Sequence, residues 1–366
     1  MKKISLITIF DVANFGTYLQ ALATAVVLQN FGHKVEIVHY ERPFKNTILL
    51  RRNLLLRCLY YVYFWIRGFD GILFTLRCRR FVSKYTKITR TYFSIDELKR
   101  NPPNADIYLT GSDQVWNTEH NQGVDEAFYL SYAPVGKKKV AYAASIGQDS
   151  IPIEYIEHTK KLLSQYSGIS VREAQAVDLL SDIGIKATHV IDPTLLLDRD
   201  QWMNMASKRL IPDKYLLVYS VEPTEYDKKV SDVAVLVAKV KQLKIVSVSN
   251  FGKDKRIPNC DIYFDFALPQ HFLSLMAYAS FVVVSSFHGT AFAINFNRQF
   301  LTITPGAYSS RIDSLLDLTG LQDRRIRSVE ELRTQLLEQS ISYDSINTIL
   351  NRERTSSVAF IRENVI

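Results

Sequence analysis

The stretch FVVVSSFHGTAFAINF, residues 281–296, joins a fully apolar run of strand length to a helical segment through a turn that holds His288 and Gly289. A short run with no polar residue suits a strand buried on both faces, as in parallel sheets covered by helices on each side. In such sheets the ligand crevice lies beyond the carboxyl ends of the strands. Ser285, Ser286 and His288 emerge at that end, and Gly289 with Thr290 start the helix. The unpaired amides of a helix start attract anions, so an anion resting there would lie beside the imidazole. The alternative is a structural histidine satisfied within the core; the turn location and the small flanking residues favour a functional one.

The same alternation of apolar runs and helical patterns fills the chain. Strands are expected at 3–9, 34–40, 105–110, 138–145, 168–172 and 187–191, then at 215–221, 244–249, 281–286 and 300–304. Helices are expected near 224–242, 270–279 and 290–297. This predicts an α/β protein of two Rossmann-like domains facing a cleft. The join lies in the proline-containing segment 192–214, giving an N-terminal domain over 1–198, a C-terminal domain over 210–326 and a helical tail over 327–366. In the tail, VEELRTQLLEQ (329–339) spaces its apolar residues three and four apart, and it should pack against one or both domains.

Polar clusters fall at the expected strand ends. After the first strand, Asn14, Gly16 and Thr17 form a turn that opens a helix; glycine there permits close backbone approach, though the turn from sheet to helix also explains it. It is not a GxGxxG fingerprint, and no Walker A sequence occurs. In TGSDQVWN (110–117), Asp113 and Gln114 precede Trp116, a set suited to holding sugar hydroxyls under an aromatic face. The competing reading makes Asp113 a turn cap and Trp116 a core residue. In ISVREAQ (169–175), Arg172 can clamp a phosphate or carboxylate, or pair with Glu173.

The formal charge of +8 is concentrated: residues 45–100 carry thirteen Lys and Arg against Asp70, Asp96 and Glu97, leaving the remainder close to neutral. Within this basic-aromatic insert, LLLRCLYYVYFWIRGF (54–69) has the length of an interfacial helix. Three readings stand: a buried helix flanked by solvated arginines, docking on an anionic membrane surface, and nucleic-acid binding, the last unsupported by any recognised motif. Cys58, Cys78 and Cys260 are odd in number and too dispersed for a disulfide scaffold or a CxxC metal knuckle, which fits a reducing cytoplasm. The apolar run of MKKISLITIF breaks at Asp11 without a cleavage site, so it reads as a core strand rather than a signal peptide, and no stretch is long enough to span a membrane.

Taken in order, NFGTYLQALA (14–23), GSDQVWN (111–117), YAASIG (142–147), SVRE (170–173), VIDPTLLL (190–197), SSFHGTAFAINF (285–296) and SSRIDSLLDLTGL (309–321) resemble the pattern of the polysaccharide pyruvyl transferase family. The resemblance implies a two-domain fold similar to GT-B glycosyltransferases. It also implies transfer of a pyruvyl group from phosphoenolpyruvate to two hydroxyls of a sugar, forming a cyclic ketal on a capsule, exopolysaccharide or cell-wall glycan and releasing phosphate. No metal or organic cofactor is implied. The family associates the histidine of the HG turn and cleft arginines with phosphoenolpyruvate, which maps onto His288, Arg172 and Arg311. Ser285, Ser286, Gly289 and Thr290 then lie on the donor side. Some members carry Arg where this chain has Ser286, and Arg311 is the candidate substitute. On this reading His288 is the acid at the donor, and Asp113 orients or deprotonates an acceptor hydroxyl beside Asn14, Gly16, Thr17, Gln114 and Trp116. The acceptor is expected to be linked to a polyprenyl diphosphate, making the protein cytoplasmic and peripheral at the inner face of the membrane. The rival readings are a GT-B nucleotide-sugar glycosyltransferase and a non-catalytic glycan-binding homologue.

Overall fold

A computed structural model describes the chain except Asp11 and residues 43–70, 222–223 and 305–309. The apolar-aromatic segment 54–69 and its membrane reading therefore lie outside the described residues.

Two parallel sheets carry the fold. The first contains β1 (Lys3–Ile7), β2 (Lys34–Tyr40), β3 (Lys87–Tyr92), β4 (Ile107–Thr110), β5 (Lys138–Ala144), β6 (Gly168–Val171) and β7 (Thr188–His189), in the order β3-β2-β1-β4-β5-β6-β7. The second contains β8 (Tyr215–Tyr219), β9 (Lys244–Val248), β10 (Ile262–Phe264), β11 (Phe281–Val284), β12 (Gln299–Ile303) and β13 (Arg325–Ile326), in the order β10-β9-β8-β11-β12-β13. Every pairing between these strands is parallel. The central strands are apolar on both faces: YLLVY of β8 and FVVV of β11 are buried throughout. Three edge strands, β3, β10 and β13, were not expected. KITRTY of β3 lies inside the basic insert, where its alternating charges and threonines mask a strand that pairs with β2.

The basic insert is thus partly woven into the first sheet. Ahead of β3, residues 71–82 are helical and bury Phe74, Cys78, Phe81 and Val82, while Leu76, Arg77 and Arg80 face outward. Phe74 packs edge-on to Phe15, with ring centroids 6.5 Å apart.

The two sheets share apolar packing. Helix Phe15–Asn30 of the first half is buried nearly all round, and its Phe15 stacks 4.8 Å from Phe272 of helix Pro269–Tyr278 in the second. The connection after β7 holds two short helices, Pro193–Leu196 and Arg199–Met203. Asn295, the last residue of helix Phe287–Asn295, donates from Nδ2 to the Thr194 and Leu197 carbonyls at 3.0 and 2.9 Å, fastening that connection to the second half. The final helix, Asp344–Val365, returns to the first sheet: Phe360 lies 6.4 Å from the Tyr142 ring, and Ser357 Oγ accepts from the Ile191 amide at 3.1 Å. A Cβ at Gly168 would come within 2.1 Å of Asn364 Oδ1, so glycine lets the helix sit close on β6. The helix also touches helix Ser310–Thr319 of the second half. No helix among the described residues is long and apolar enough to cross a membrane.

Candidate functional site

The carboxyl ends of β1, β4, β6 and β11 bring the main polar residues together. Helix Phe15–Asn30 begins with Asn14, whose Oδ1 accepts from the Gly16 amide at 2.8 Å. Tyr219 OH, from the other half, donates to the same oxygen at 3.4 Å. Opposite stands the start of helix Phe287–Asn295, capped by Ser286 Oγ, which accepts from the Gly289 amide at 3.0 Å. The two helix starts meet where His288 packs against Gly16: a Cβ there would fall 2.1 Å from Nδ1 and 2.2 Å from Cγ. Only glycine allows this apposition.

Asp113 lies near enough to act on the charge of the His288 ring. Its backbone has φ 76°, a left-handed conformation uncommon outside glycine and asparagine. The loop is laced onto the extension of β5, with the Ser145 amide donating to Asp113 O at 3.0 Å and the Trp116 amide to Ser145 O at 3.1 Å. The Asp113 carboxylate accepts from the Gln114 amide at 2.8 Å and from Thr17 Oγ1 at 3.1 Å.

Arg172 is the hub. Its side chain is 0% exposed, with Nη1 2.9 Å from Asp192 Oδ2, Nη2 3.5 Å from Asp113 Oδ1 and Nε 3.8 Å from Glu173 Oε2. Its guanidinium also lies over the Phe287 ring, 4.6 Å from the centroid. Asp192 caps helix Pro193–Leu196 through Oδ1, which accepts from the Thr194 amide at 2.9 Å, while Oδ2 accepts from Ser112 Oγ at 2.8 Å. Asp192 Oδ2 stands 3.9 Å from His288 Nε2.

Burial dominates the titration of this cluster. It opposes charge on Arg172, but Asp192, Asp113 and Glu173 outweigh it and leave the guanidinium with a raised pKa. Burial likewise works against both aspartates; at Asp113 the nearby Arg172 and His288 overcome it, and at Asp192 His288, Arg172 and the Thr194 donors do. Both carboxylates therefore titrate below their usual range. His288 goes the other way: burial, helped by Arg172 and Arg311 and only partly countered by Asp192 and Asp113, lowers its pKa to about 4. The imidazole is neutral at neutral pH. His288 Nε2, Arg172 Nε and Nη2, and Glu173 Oε2 are buried without a hydrogen-bond partner. Such orphaned groups are uncommon in folded interiors and mark this cluster out.

The expected site residues separate into three groups. Asn14, Gly16, Thr17, Asp113, Gln114, Arg172, His288 and Arg311 converge, with both terminal nitrogens of Arg311 3.2 Å from the Gln114 amide once its oxygen is turned toward them. Ser285, Ser286, Gly289 and Thr290 build the turn. The Ser286 hydroxyl already occupies the Gly289 amide, Thr290 Oγ1 donates to Ser286 O and Thr302 Oγ1, and Ser285 Oγ donates to Ser220 Oγ. The anion expected on those amides finds the Gly289 amide capped. Trp116 departs altogether: it is 3% exposed, stacks on Tyr129 at 5.6 Å and donates from Nε1 to Phe128 O at 3.3 Å, so it is core and no sugar platform. Arg172, buried among Asp192, Asp113, Glu173 and the Phe287 ring, is not an open anion clamp.

Sequence reasoning missed Asp192 and Ser112, and named Glu173 only as a pairing partner of Arg172. Each sits within a quoted motif, and an acid before proline or beside an arginine was the available signal. It also missed Arg42 and His120, which tertiary structure alone brings near Asp113 and Arg311. Among the described residues no group of three His, Cys, Asp or Glu side chains is arranged to hold a metal ion.

Several solved structures share the architecture. UDP-GlcNAc 2-epimerase from Methanocaldococcus jannaschii is 13% identical with TM-score 0.59, covering 99% of this chain and 99% of its own. A putative UDP-N-acetylglucosamine 2-epimerase from Listeria monocytogenes is 11% identical with TM-score 0.57, covering 99% and 96%. UDP-GlcNAc 2-epimerase from Neisseria meningitidis, bound to UDP-GlcNAc, is 11% identical with TM-score 0.53 over 100% of each chain. At these identities the likeness is one of fold, and the fold is the GT-B arrangement of two Rossmann-like units. No curated protein matches the chain by sequence. The family model for polysaccharide pyruvyl transferase matches residues 14–306, a span that holds Asn14, Asp113, Arg172, Asp192 and His288 together, and the chain belongs to that family.

Proposed function

We propose that the protein transfers the pyruvyl group of phosphoenolpyruvate onto two hydroxyls of a sugar, forming a cyclic ketal and releasing phosphate. The observation that carries this reading is the neutral His288 imidazole, projecting from one half against Gly16 of the other, with Asp192, Asp113 and Arg311 around it. The reaction needs a group that moves protons near neutrality, because one hydroxyl proton must end on the methylene carbon to make the methyl group and the second must leave with the phosphate. A neutral imidazole accepts the first hydroxyl proton, and the ring so protonated gives a proton to the methylene, whose π electron pair takes it as that oxygen bonds to the central carbon. The second hydroxyl displaces phosphate from the same carbon. This modifies the expectation that His288 begins as an acid: burial keeps its proton off until an anionic donor arrives to raise its pKa. Asp113, held ionised, accepts a hydrogen bond from the acceptor hydroxyl and orients it. Arg172 and Asp192 hold this geometry, and Arg311 faces the donor.

The acceptor on this reading is lipid-linked and the protein works at an anionic membrane surface, in support of which helix 71–82 turns Leu76, Arg77 and Arg80 outward. The likeness to nucleotide-sugar enzymes favours a second reading, a nucleotide-sugar glycosyltransferase. Thermal stabilisation by phosphoenolpyruvate but not by UDP-GlcNAc supports pyruvyl transfer, and the reverse pattern refutes it. In the same assay series, His288→Ala should lower phosphate release by about 100-fold or more. Near-normal release would remove the histidine from the mechanism.

A further inference from the structure

We propose that Asp192 is the positioning residue of His288: its carboxylate holds the ring proton on Nε2 and leaves Nδ1 bare, as the nitrogen that meets a substrate hydroxyl. The identity of that hydroxyl rests on the pyruvyl-transfer reading; the placement of the ring proton does not.

The two ring nitrogens have different surroundings. Nε2 is closed off from solvent without a hydrogen-bond partner, 3.9 Å from Asp192 Oδ2. Nδ1 lies on the side of Gly16, where a Cβ would come within 2.1 Å of it. A bare Nε2 would turn its lone pair toward a carboxylate oxygen, whereas an N–H there directs a partial positive charge at it. The separation exceeds a hydrogen bond, so the preference is electrostatic, in a buried setting where such effects are strong. The tautomer of a neutral imidazole is set by what its second nitrogen faces. A substrate that has no access to the enclosed Nε2 meets the ring at Nδ1.

Asp192 is held firmly enough to act in this way. Its side chain is fully buried; Oδ1 accepts from the Thr194 amide at 2.9 Å and from Thr194 Oγ1 at 2.7 Å, and Oδ2 accepts from Ser112 Oγ at 2.8 Å and Arg172 Nη1 at 2.9 Å. Burial works against its charge, but His288, Arg172 and the Thr194 donors keep it ionised. After burial, Asp192 is the strongest influence on the charge of the ring, ahead of Arg172, Asp113 and Arg311. During the reaction Nδ1 takes the first hydroxyl proton while Nε2 keeps its own. The ring then carries one positive charge beside Asp192, and returns to neutral when Nδ1 gives its proton to the methylene carbon. Asp192 stays ionised throughout, stabilising the charged ring without taking a proton from it.

Nuclear magnetic resonance of the full chain, isotopically labelled at its histidine nitrogens, reads the tautomer without substrate at about pH 7. His288→Gln identifies the signal by its loss. A free imidazole interconverts between its two neutral forms, so a single fixed form is the signature sought. The expected ring carries its proton on Nε2; a proton on Nδ1, on both nitrogens or shared evenly between them overturns the proposal. Asp192→Asn separates charge from capping, because its amide oxygen can still accept from the Thr194 amide. In that variant the ring should no longer hold one form, and kcat for phosphate release from phosphoenolpyruvate should fall about 100-fold or more with KM within about threefold. The ring should also titrate below its wild-type value, since a negative charge beside it is gone. A structure merely loosened by the substitution would admit water and titrate toward 6.5 instead, and that result, or an unchanged tautomer and kcat, overturns the assignment. If Asp192→Asn does not fold, the wild-type spectrum decides alone. A wild type that holds its proton on Nε2 yet releases no phosphate from phosphoenolpyruvate with a sugar acceptor would overturn the proposed reaction and leave the proton placement standing.

Discussion

Acidifying the protein tests whether His288 is held neutral. Its folded pKa of about 4 lies below the ordinary histidine value of 6.5. In the unfolded chain the ring binds a proton as the pH falls through about 6.5, while in the folded chain it stays neutral until about 4, so the unfolded state binds more protons in that window. Stability is therefore fully present above the unfolded value and is lost as pH falls toward the folded one. That difference corresponds to about 3 kcal/mol, of which about 2 kcal/mol is already gone at about pH 4.5. The perturbation is His288→Gln, which keeps a polar side chain of similar reach but cannot titrate. Urea unfolding of both proteins at about pH 7 and about pH 4.5 gives a difference of differences. His33, His120 and His271 also have lowered pKa values but are common to both proteins and cancel. Asp113 and Asp192 have lowered folded values, so their contribution is lost as pH falls from the ordinary carboxylate value toward the folded one, mostly below the lower pH measured. The wild type should lose about 2 kcal/mol more than the variant over this interval. Equal losses would show that the ring titrates as a solvated imidazole does, a smaller loss in the wild type would show that it is already charged, and in either case the proton shuttle proposed for it would have no basis.

Gly16→Ala places a methyl group inside contact distance of the His288 ring, so one of them must shift. Turnover should fall about tenfold to a hundredfold, as small misplacements of reacting groups do; an unchanged rate would mean the ring is not positioned by this contact. Trp116→Phe should cost about 1 to 3 kcal/mol through the lost bond to Phe128 O and the trimmed stack on Tyr129, while leaving the KM for a sugar acceptor unaltered. A raised KM with unaltered urea midpoint would restore Trp116 to the acceptor site.

Much of the scaffold was legible because the central strands announce themselves. KVEIVHY of β2 runs over the expected residues, and FVVV of β11 leads straight to the turn that bears His288. The strands that escaped are edges: β3 carries Lys87 and Arg90, while β10 and β13 are too short to show a period. Within the site, His288, Asp113 and Arg172 were visible from their places at strand ends. Their surroundings were not. That Asp192 approaches His288, or that Arg42 and Arg311 come near His120, depends on long-range packing that no local pattern encodes. Trp116 misled for the opposite reason, since an aromatic beside polar loop residues reads as a binding platform until Tyr129 and Phe128 are seen to enclose it.

The closing helix Asp344–Val365 sets the order in which this protein can become complete during synthesis. Ser357 reaches the Ile191 amide across 166 positions of chain, and Phe360 covers Tyr142, so that side of the first sheet stays without its lid until the residues of this helix have been synthesised. Until then the nascent chain carries an open apolar flank that invites chaperones or aggregation. Messages cut short would yield products that quality control can recognise, rather than half-built proteins that hold substrate without processing it.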